Sequence, residues 1–403
     1  MSNTPNTLSY LPPATQGFYE KTALLRAKLD LVYYDLMQKR SLPEGEGSTV
    51  NFWRYAPLDI DTAALSDTDD GGLSDAVIAA VKFTTQEVSA TPAMWGKAAM
   101  FTTLAMKQTI DKGMTEKMGV MGQHAAETID YECSKIAGTN LLRRRADNNN
   151  TYQRGPITCT SAGTTTTLVS TALTEIEDFW KGGYVTIVAG PGYGETRFIS
   201  GFTASSDTVT VSSAFPIASS TATKFRIVVG TGLGTSGVID TNIARLAAMD
   251  LANQKAQKFS GGLWKGVLDP STEHDFLSDA TMLDASKYKE SIKTLKDNVI
   301  GVWNGIQWER ATRSYRETVA GVASLDAGAV RIVPVFGAQS CGVVNLGGGK
   351  GEKKNFEIVI RNPDQLGQAL RFKWTVGWQA FFKAVSLNSC FGVGIMCGTT
   401  DQI

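Results

Sequence analysis

Between residues 151 and 232 the chain changes character, and that change limits what the whole can fold into. The block is rich in Thr, Ser and Gly. It carries short β-type runs at Ile157–Thr160, Thr167–Ser170, Tyr184–Ala189, Thr196–Ser200, Thr208–Val211 and Phe225–Val229. Turn residues separate these runs at close intervals, the pattern of a small all-β barrel or sandwich. Helical and mixed signals resume on both sides, so the block reads as an inserted domain. A chain of 403 residues is in any case too long for one simple core and suggests two or three domains.

The flanks read as α+β. Residues 93–146 have a helical pattern, with Met118, Met121, Ala125, Ile129, Cys133 and Ile136 on one stripe. Arg143, Arg144 and Arg145 would close its last turn, where cations complement the helix dipole, before an Asn run stops it. A second helix is expected from Gly237, with Ile239, Ile243, Leu246, Ala247 and Leu251 on one face. Strands follow at Leu263–Leu268, Ile306–Arg310 and Val330–Val335, with a charged helical stretch over 272–297. Near the C-terminus Leu370, Phe372, Trp374, Val376 and Trp378 alternate with Arg371, Lys373, Thr375 and Gly377. That is a long half-buried strand, with Phe356–Ile360 and Phe391–Met396 as expected neighbours.

The first 90 residues look outward. Residues 1–40 form an arm, polar and Pro-containing at first. Phe18, Leu24, Leu25, Val32, Leu36 and Met37 then recur at helical spacing. That stripe needs a surface, either a neighbouring copy or the chain's own domain. Thr49–Tyr55 and Val81–Val88 read as the two strands of a ribbon around an acidic, turn-rich tip containing Asp67, Asp69 and Asp70. A long hairpin with a polar tip buries little of itself and needs another surface to be stable.

Charge and composition exclude several classes. Lys plus Arg equals Asp plus Glu at 39 each, against the basic excess expected of a protein whose main task is to wrap nucleic acid. Zero net charge also removes long-range repulsion between copies. The five cysteines are scattered and form no CxxC pair, which points to a reducing compartment and away from a disulfide framework or zinc cage. No signal pattern opens the chain and no window reaches about 18 apolar residues. The expectation is synthesis and folding in a cytoplasm.

Several motifs resemble chemistry without its context. Gly232-Leu-Gly234-Thr-Ser-Gly237 matches GxGxxG after an apparent strand and before a helix. The strand before it, however, belongs to the Thr/Ser-rich block, and the acidic residue near the expected distance, Asp250, lies within the helix. A flexible connection leaving the inserted block accounts for it better. Gly347–Gly351 lacks the GKS or GKT ending of a nucleotide loop. The acidic tip lacks the closing Glu of a calcium loop. His124 and His274 have no metal-ligand spacing. No catalytic, cofactor or metal site is expected.

The order of elements resembles the tailed-bacteriophage major capsid protein family, the Johnson fold. Four stretches carry the resemblance: SLPEGEGSTVNFWRYAPL (41–58), LWKGVLDPSTEHD (263–275), GVWNGIQWERAT (301–312) and DQLGQALRFKWTVGWQAFFKAVSLNSCFGVGI (364–395). Together it spans most of 17–146 and 237–396. Within the block, residues 178–215 look like small β-modules inserted in phage structural proteins, a departure from the minimal pattern. The resemblance implies an N-terminal arm (1–40), an extended β-hairpin loop (41–92), a peripheral domain with a long spine helix (93–150) and the inserted all-β domain (151–232). An axial domain (233–345) and C-terminal strands returning to the peripheral domain (346–403) complete it.

It also implies a non-enzymatic subunit that assembles with itself, in hexamers and pentamers, into an icosahedral head. That head would enclose double-stranded DNA without sequence specificity, with scaffold, portal and decoration proteins as further partners. The subunit would assemble in the host bacterial cytoplasm and reside in the virion, with the inserted domain on the shell's outer face. Candidate intersubunit contacts are Trp53, Tyr55, Asp67, Asp69, Asp70, Phe18, Leu24 and Leu25. Arg143, Arg144 and Arg145 are the candidate inner-face basic cluster. Two other classes stay open: a tail or fibre component, which would show repeats, and a dinucleotide-binding oxidoreductase built on Gly232–Gly237.

Overall fold

The structure is a computed structural model. It describes residues 31–58 except 44 and 46, 85–104 except 103, 113–281 except 232 and 234–236, 299–318, 329–347, 356–361 and 373–398. In chain order these form α1 (Tyr33–Leu36), β1 (Gln38–Leu42), β2 (Val50–Tyr55), β3 (Thr85–Ala90), β4 (Ala93–Thr102), α2 (Gly113–Asn140) and β5 (Leu142–Arg145). Then come β6 (Gln153–Thr158), β7 (Thr167–Val169), β8 (Tyr184–Ala189), β9 (Thr196–Thr203), β10 (Thr208–Val211) and β11 (Lys224–Val228). The remainder is α3 (Thr241–Asn253), β12 (Trp264–Leu268), α4 (Pro270–Leu277), β13 (Val299–Trp303), β14 (Ile306–Arg310), β15 (Arg316–Thr318), β16 (Ala329–Phe336), β17 (Cys341–Leu346), β18 (Phe356–Arg361), β19 (Lys373–Ser386) and β20 (Gly392–Cys397). The α+β class expected from the sequence is observed. The chain divides into two compact units. One is Met1–Val50, Ser89–Tyr152 and Gly230–Ile403; the other is Asn51–Val88 and Gln153–Val229.

The first unit is built on β19. Its residues 373–382 pair antiparallel with β4, and residues 375–380 pair with β18 on the opposite edge. Residues 382–386 pair with β17, which pairs parallel with β1. Period-2 alternation puts Val376, Trp378, Ala380, Phe382 and Ala384 into the core, where α2 packs over them with Met118, Met121, Ala125 and Cys133. The leading segment ends in this same core. Val32, Tyr33, Leu36 and Met37 are all buried there, so the last part of the helical stripe docks on its own domain. Phe18, Leu24 and Leu25 lie outside the described residues.

Asp130 of α2 fixes that docking. Its carboxylate accepts backbone N–H groups of Val32, Tyr33 and Tyr34, the last at 3.0 Å. These are orphan donors of the short α1, whose N-cap Val32 offers no side-chain acceptor. Tyr33 adds a hydroxyl contact of 2.6 Å to Ser314.

A second sheet runs β13-β14-β12-β16-β20-β5, with β15 on β16. Helix α3 packs against β20, burying Ile243, Ala247 and Leu251, with Asp240 capping its N-terminus through Ile243 N at 2.6 Å. Helix α4 starts in a capping box between Asp269 and Thr272.

Three sequence expectations are corrected here. Residues 93–102 are a strand and not the start of a helix, because ten residues of pairing with β19 outweigh the helix propensity of Ala, Met and Lys. Helix α2 ends at Asn140, and residues 142–145 cross into β5, parallel to β20. Finally, Phe391–Met396 does not neighbour the long C-terminal strand. It forms β20, between β16 and β5.

In the second unit, six strands follow the order β6-β11-β8-β9-β10-β7. An antiparallel bridge Ser161↔Val169 and the bond from Thr160 N to Val169 O join the ends of that path, leaving little open edge. Trp180, Phe202, Phe225, Ile187, Ile199 and Ile227 fill the inside. The two-stranded ribbon β2–β3 belongs to this same unit. Phe52, Arg54 and Gln86 are buried on one of its faces, and Arg54 donates to the backbone oxygen of Gly194 at 2.8 Å.

Candidate assembly surfaces

Strand alternation makes the ribbon two-faced. Phe52 and Arg54 point inward, so Trp53 and Tyr55 must point outward, and they are 60% and 63% exposed. Two large aromatics on one face of the same strand are thus open to water. The tip residues Asp67, Asp69 and Asp70 lie outside the described residues.

The first unit has an apolar surface that the sequence reading missed. Residues directly opposite in register share a face. On the face of β4–β19–β18 away from α2 this aligns Met94 with Phe381, Gly96 with Gln379 and Glu357, Ala98 with Gly377 and Val359, and Met100 with Thr375. Met94 and Met100 are 70% and 71% exposed. The small residues between them leave a cleft of about 710 Å³. Its signal in the sequence was the run Ala93–Thr102, in which small and apolar residues fall on both faces, so no period-2 pattern stands out.

The arginine cluster is not a surface. Arg143, Arg144 and Arg145 are 1%, 5% and 0% exposed. Arg143 pairs with Glu317 at 3.2 Å and Arg144 with Asp250 at 2.7 Å. Arg145 pairs with Asp147 at 2.6 Å, donates to the backbone oxygen of Thr231 at 2.9 Å and stacks on Tyr152. The expectation of an inner-face basic cluster at Arg143, Arg144 and Arg145 is therefore corrected. Burial with a carboxylate partner for each arginine makes the cluster a structural knot, because an unpaired guanidinium at this depth would carry a large desolvation cost.

Beside α2 a cleft of about 500 Å³ is lined by His124, Glu127, Tyr131, Arg313 and Arg316, among others. His124 Nδ1 accepts the indole N–H of Trp378 at 3.2 Å. Burial, with Lys97 and Arg313 nearby, holds its pKa below the usual imidazole value. His274 lies on α4, distant in sequence and without a shared ligand set. Among the described residues no group of three or more His, Cys, Asp or Glu side chains could hold a metal ion. No helix among them is long and apolar enough to cross a membrane.

The dinucleotide reading loses its scaffold. Gly232 and Gly234 lie outside the described residues, but the strand before them, β11, is antiparallel to both β6 and β8. A dinucleotide turn needs a parallel βαβ unit. Asp250, the acid considered for a ribose, is bound to Arg144.

No family model and no curated protein matches the sequence. The fold has clear counterparts among solved structures. A chain from the capsid structure of cyanophage P-SCSP1u matches with a TM-score of 0.50 at 9% identity, over 92% of this chain and 89% of that one. A chain from the capsid of Ralstonia phage GP4 matches with a TM-score of 0.51 at 12% identity, over 91% and 88%. The chain thus has the fold of phage capsid proteins, which is the fold that the sequence resemblance implied.

Proposed function

We propose that this chain is the major capsid protein of a tailed bacteriophage, a subunit whose work is to bind copies of itself. The observation that carries the reading is the fold match to two phage capsid chains over about nine-tenths of both partners. Hexamers and pentamers built from this one sequence would close into an icosahedral head around double-stranded DNA, assembled in the bacterial cytoplasm. Head-to-tail contacts around an axis are heterologous and close into rings. Trp53 and Tyr55 supply the anchors of one such contact, since exposed aromatics dominate interface energetics. With Arg143, Arg144 and Arg145 buried, the DNA would be enclosed without a grip from that cluster. Scaffold, portal and decoration proteins are further partners of the same reading, and the inserted β unit would face outward.

The test is expression followed by negative-stain electron microscopy, alone and with a phage scaffold protein. Rings, tubes or shells are expected, and Trp53→Ser with Tyr55→Ser should abolish them while leaving the chain's circular dichroism unchanged. Monomers that never assemble under either condition would refute the reading.

A further inference from the structure

The six-stranded β unit does more than decorate the fold: its loop between β8 and β9 is a socket for Arg54. That loop reads Gly190-Pro-Gly192-Tyr-Gly194-Glu195. Gly190, Gly192 and Gly194 all have positive φ, at 81°, 85° and 78°, a backbone path that side-chain-bearing residues rarely follow. The path is pinned by Tyr193 N to Gly190 O at 3.1 Å, Gly194 N to Ile187 O at 2.9 Å and Glu195 N to Gly192 O at 3.2 Å. It leaves Gly194 O and the Glu195 carboxylate pointing at the same place. There the guanidinium of Arg54 donates to both, and also to the side-chain oxygen of Gln86 on the facing strand of the ribbon. Arg197 holds the other oxygen of Glu195 at 2.6 Å and so fixes the carboxylate's orientation. Arg54 is 7% exposed and its partner carboxylate is largely buried, so this is a desolvated charge pair and not a surface contact.

We infer that Arg54 is a positioning residue: seated in the loop 190–195, it fixes the ribbon's rotation about its own axis and thereby holds Trp53 and Tyr55 open. The geometry requires this coupling. In a strand, neighbours point to opposite faces, so anchoring residues 52 and 54 on the β unit commits 53 and 55 to the outside. A two-stranded ribbon has no sheet of its own to enforce that choice. The inference concerns the unassembled chain. Its use in building an interface rests on the capsid reading above, but the seat itself does not.

Amide hydrogen exchange on the full-length unassembled chain tests it. Arg54→Ala should speed exchange at residues 50–55 and 85–90 by about a hundredfold or more, the scale set by breaking a buried ion pair, while β8 and β9 keep their protection. Glu195→Gln, which leaves the ribbon's own sequence intact, should act on the same amides in the same direction. Arg54→Lys, with one donor centre instead of a planar fork, should fall between wild type and Arg54→Ala. Unchanged ribbon exchange in Arg54→Ala overturns the inference. Equal loosening of β8 and β9 also overturns it, since that would make Arg54 a general stabiliser of the unit. Should Arg54→Ala not fold, Glu195→Gln is read by the same two criteria. Microscopy of wild-type assembly is a separate measurement, so failure of the capsid reading leaves this result standing, and the reverse holds too.

Discussion

Replacing Asp130 with Asn separates the charge of this side chain from its shape. Asp130 is 5% exposed, and burial raises its pKa from the ordinary 3.8 to about 7, although the N–H groups of Tyr34, Tyr33 and Val32 pull the other way. The folded chain therefore holds a proton that the unfolded chain has already released. Stability from this group is fully present below pH 3.8 and is lost as pH rises through about 7. Linkage at 1.36 kcal/mol per pH unit gives a loss of about 3 kcal/mol between about pH 5 and about pH 8. Asn cannot ionise, so the stability difference between variant and wild type should move by that amount in the variant's favour over the same interval. Asn keeps one carbonyl oxygen for Tyr34 N but turns an amide donor toward the remaining N–H groups, a penalty of about 1–3 kcal/mol that does not depend on pH. The assay is urea unfolding of the dilute, unassembled chain at both pH values, followed by circular dichroism. A difference constant to within about 1 kcal/mol across the interval refutes the reasoning, whatever its absolute size.

Three further outcomes follow from the same geometry. Arg144→Ala removes the guanidinium paired with the buried Asp250 carboxylate and should cost about 3–5 kcal/mol in chemical denaturation, whereas Arg144→Met with Asp250→Leu should recover much of it. His124 should titrate below the ordinary 6.5 by NMR, with the Trp378 indole proton shifting over the same range. Because its folded pKa is depressed, its contribution to stability is present above pH 6.5 and is lost as pH falls toward the folded value. All five thiols are buried, and burial pushes Cys159 up to about 11 and Cys341 up to about 12, so an aromatic disulfide reagent should label none of them until the chain is unfolded.

How much of this was legible depended on whether the signal was local. The strands at Tyr184–Ala189, Thr208–Val211 and Ile306–Arg310 were read to the residue, because alternation and turn chemistry together mark both ends. The stripe of α2 was equally plain, since Met118, Met121, Ala125 and Cys133 all reach the core. Misreadings came where a distant partner decides. Ala93–Thr102 has helix-forming residues and becomes a strand only because β19 is there to pair with it. Gln38–Leu42 shows no β pattern and is a strand through its parallel pairing with residues 342–346. Three adjacent arginines look like a surface, and only the fold brings Glu317 and Asp250 to them. The partner of β20 could not be read either, because an apolar run shows that it is buried but not between which neighbours. Of the candidate contacts, alternation shows Trp53 and Tyr55 on one side of a strand. It does not show that the opposite side is filled by a loop 140 residues away.

The sheet around β19 also dictates an order of events on the ribosome. Its strands come from residues 38–42, 93–102, 341–346, 356–361 and 373–386, so no local stretch can complete it. Strands β6 to β11 lie within 153–228 and are available much earlier in translation. Long-range pairing is slow because loop closure precedes any reward from contacts. During synthesis α2 therefore waits for its main partner strand until residues 373–386 have been made, and a nascent chain at that stage is a natural client for a chaperone.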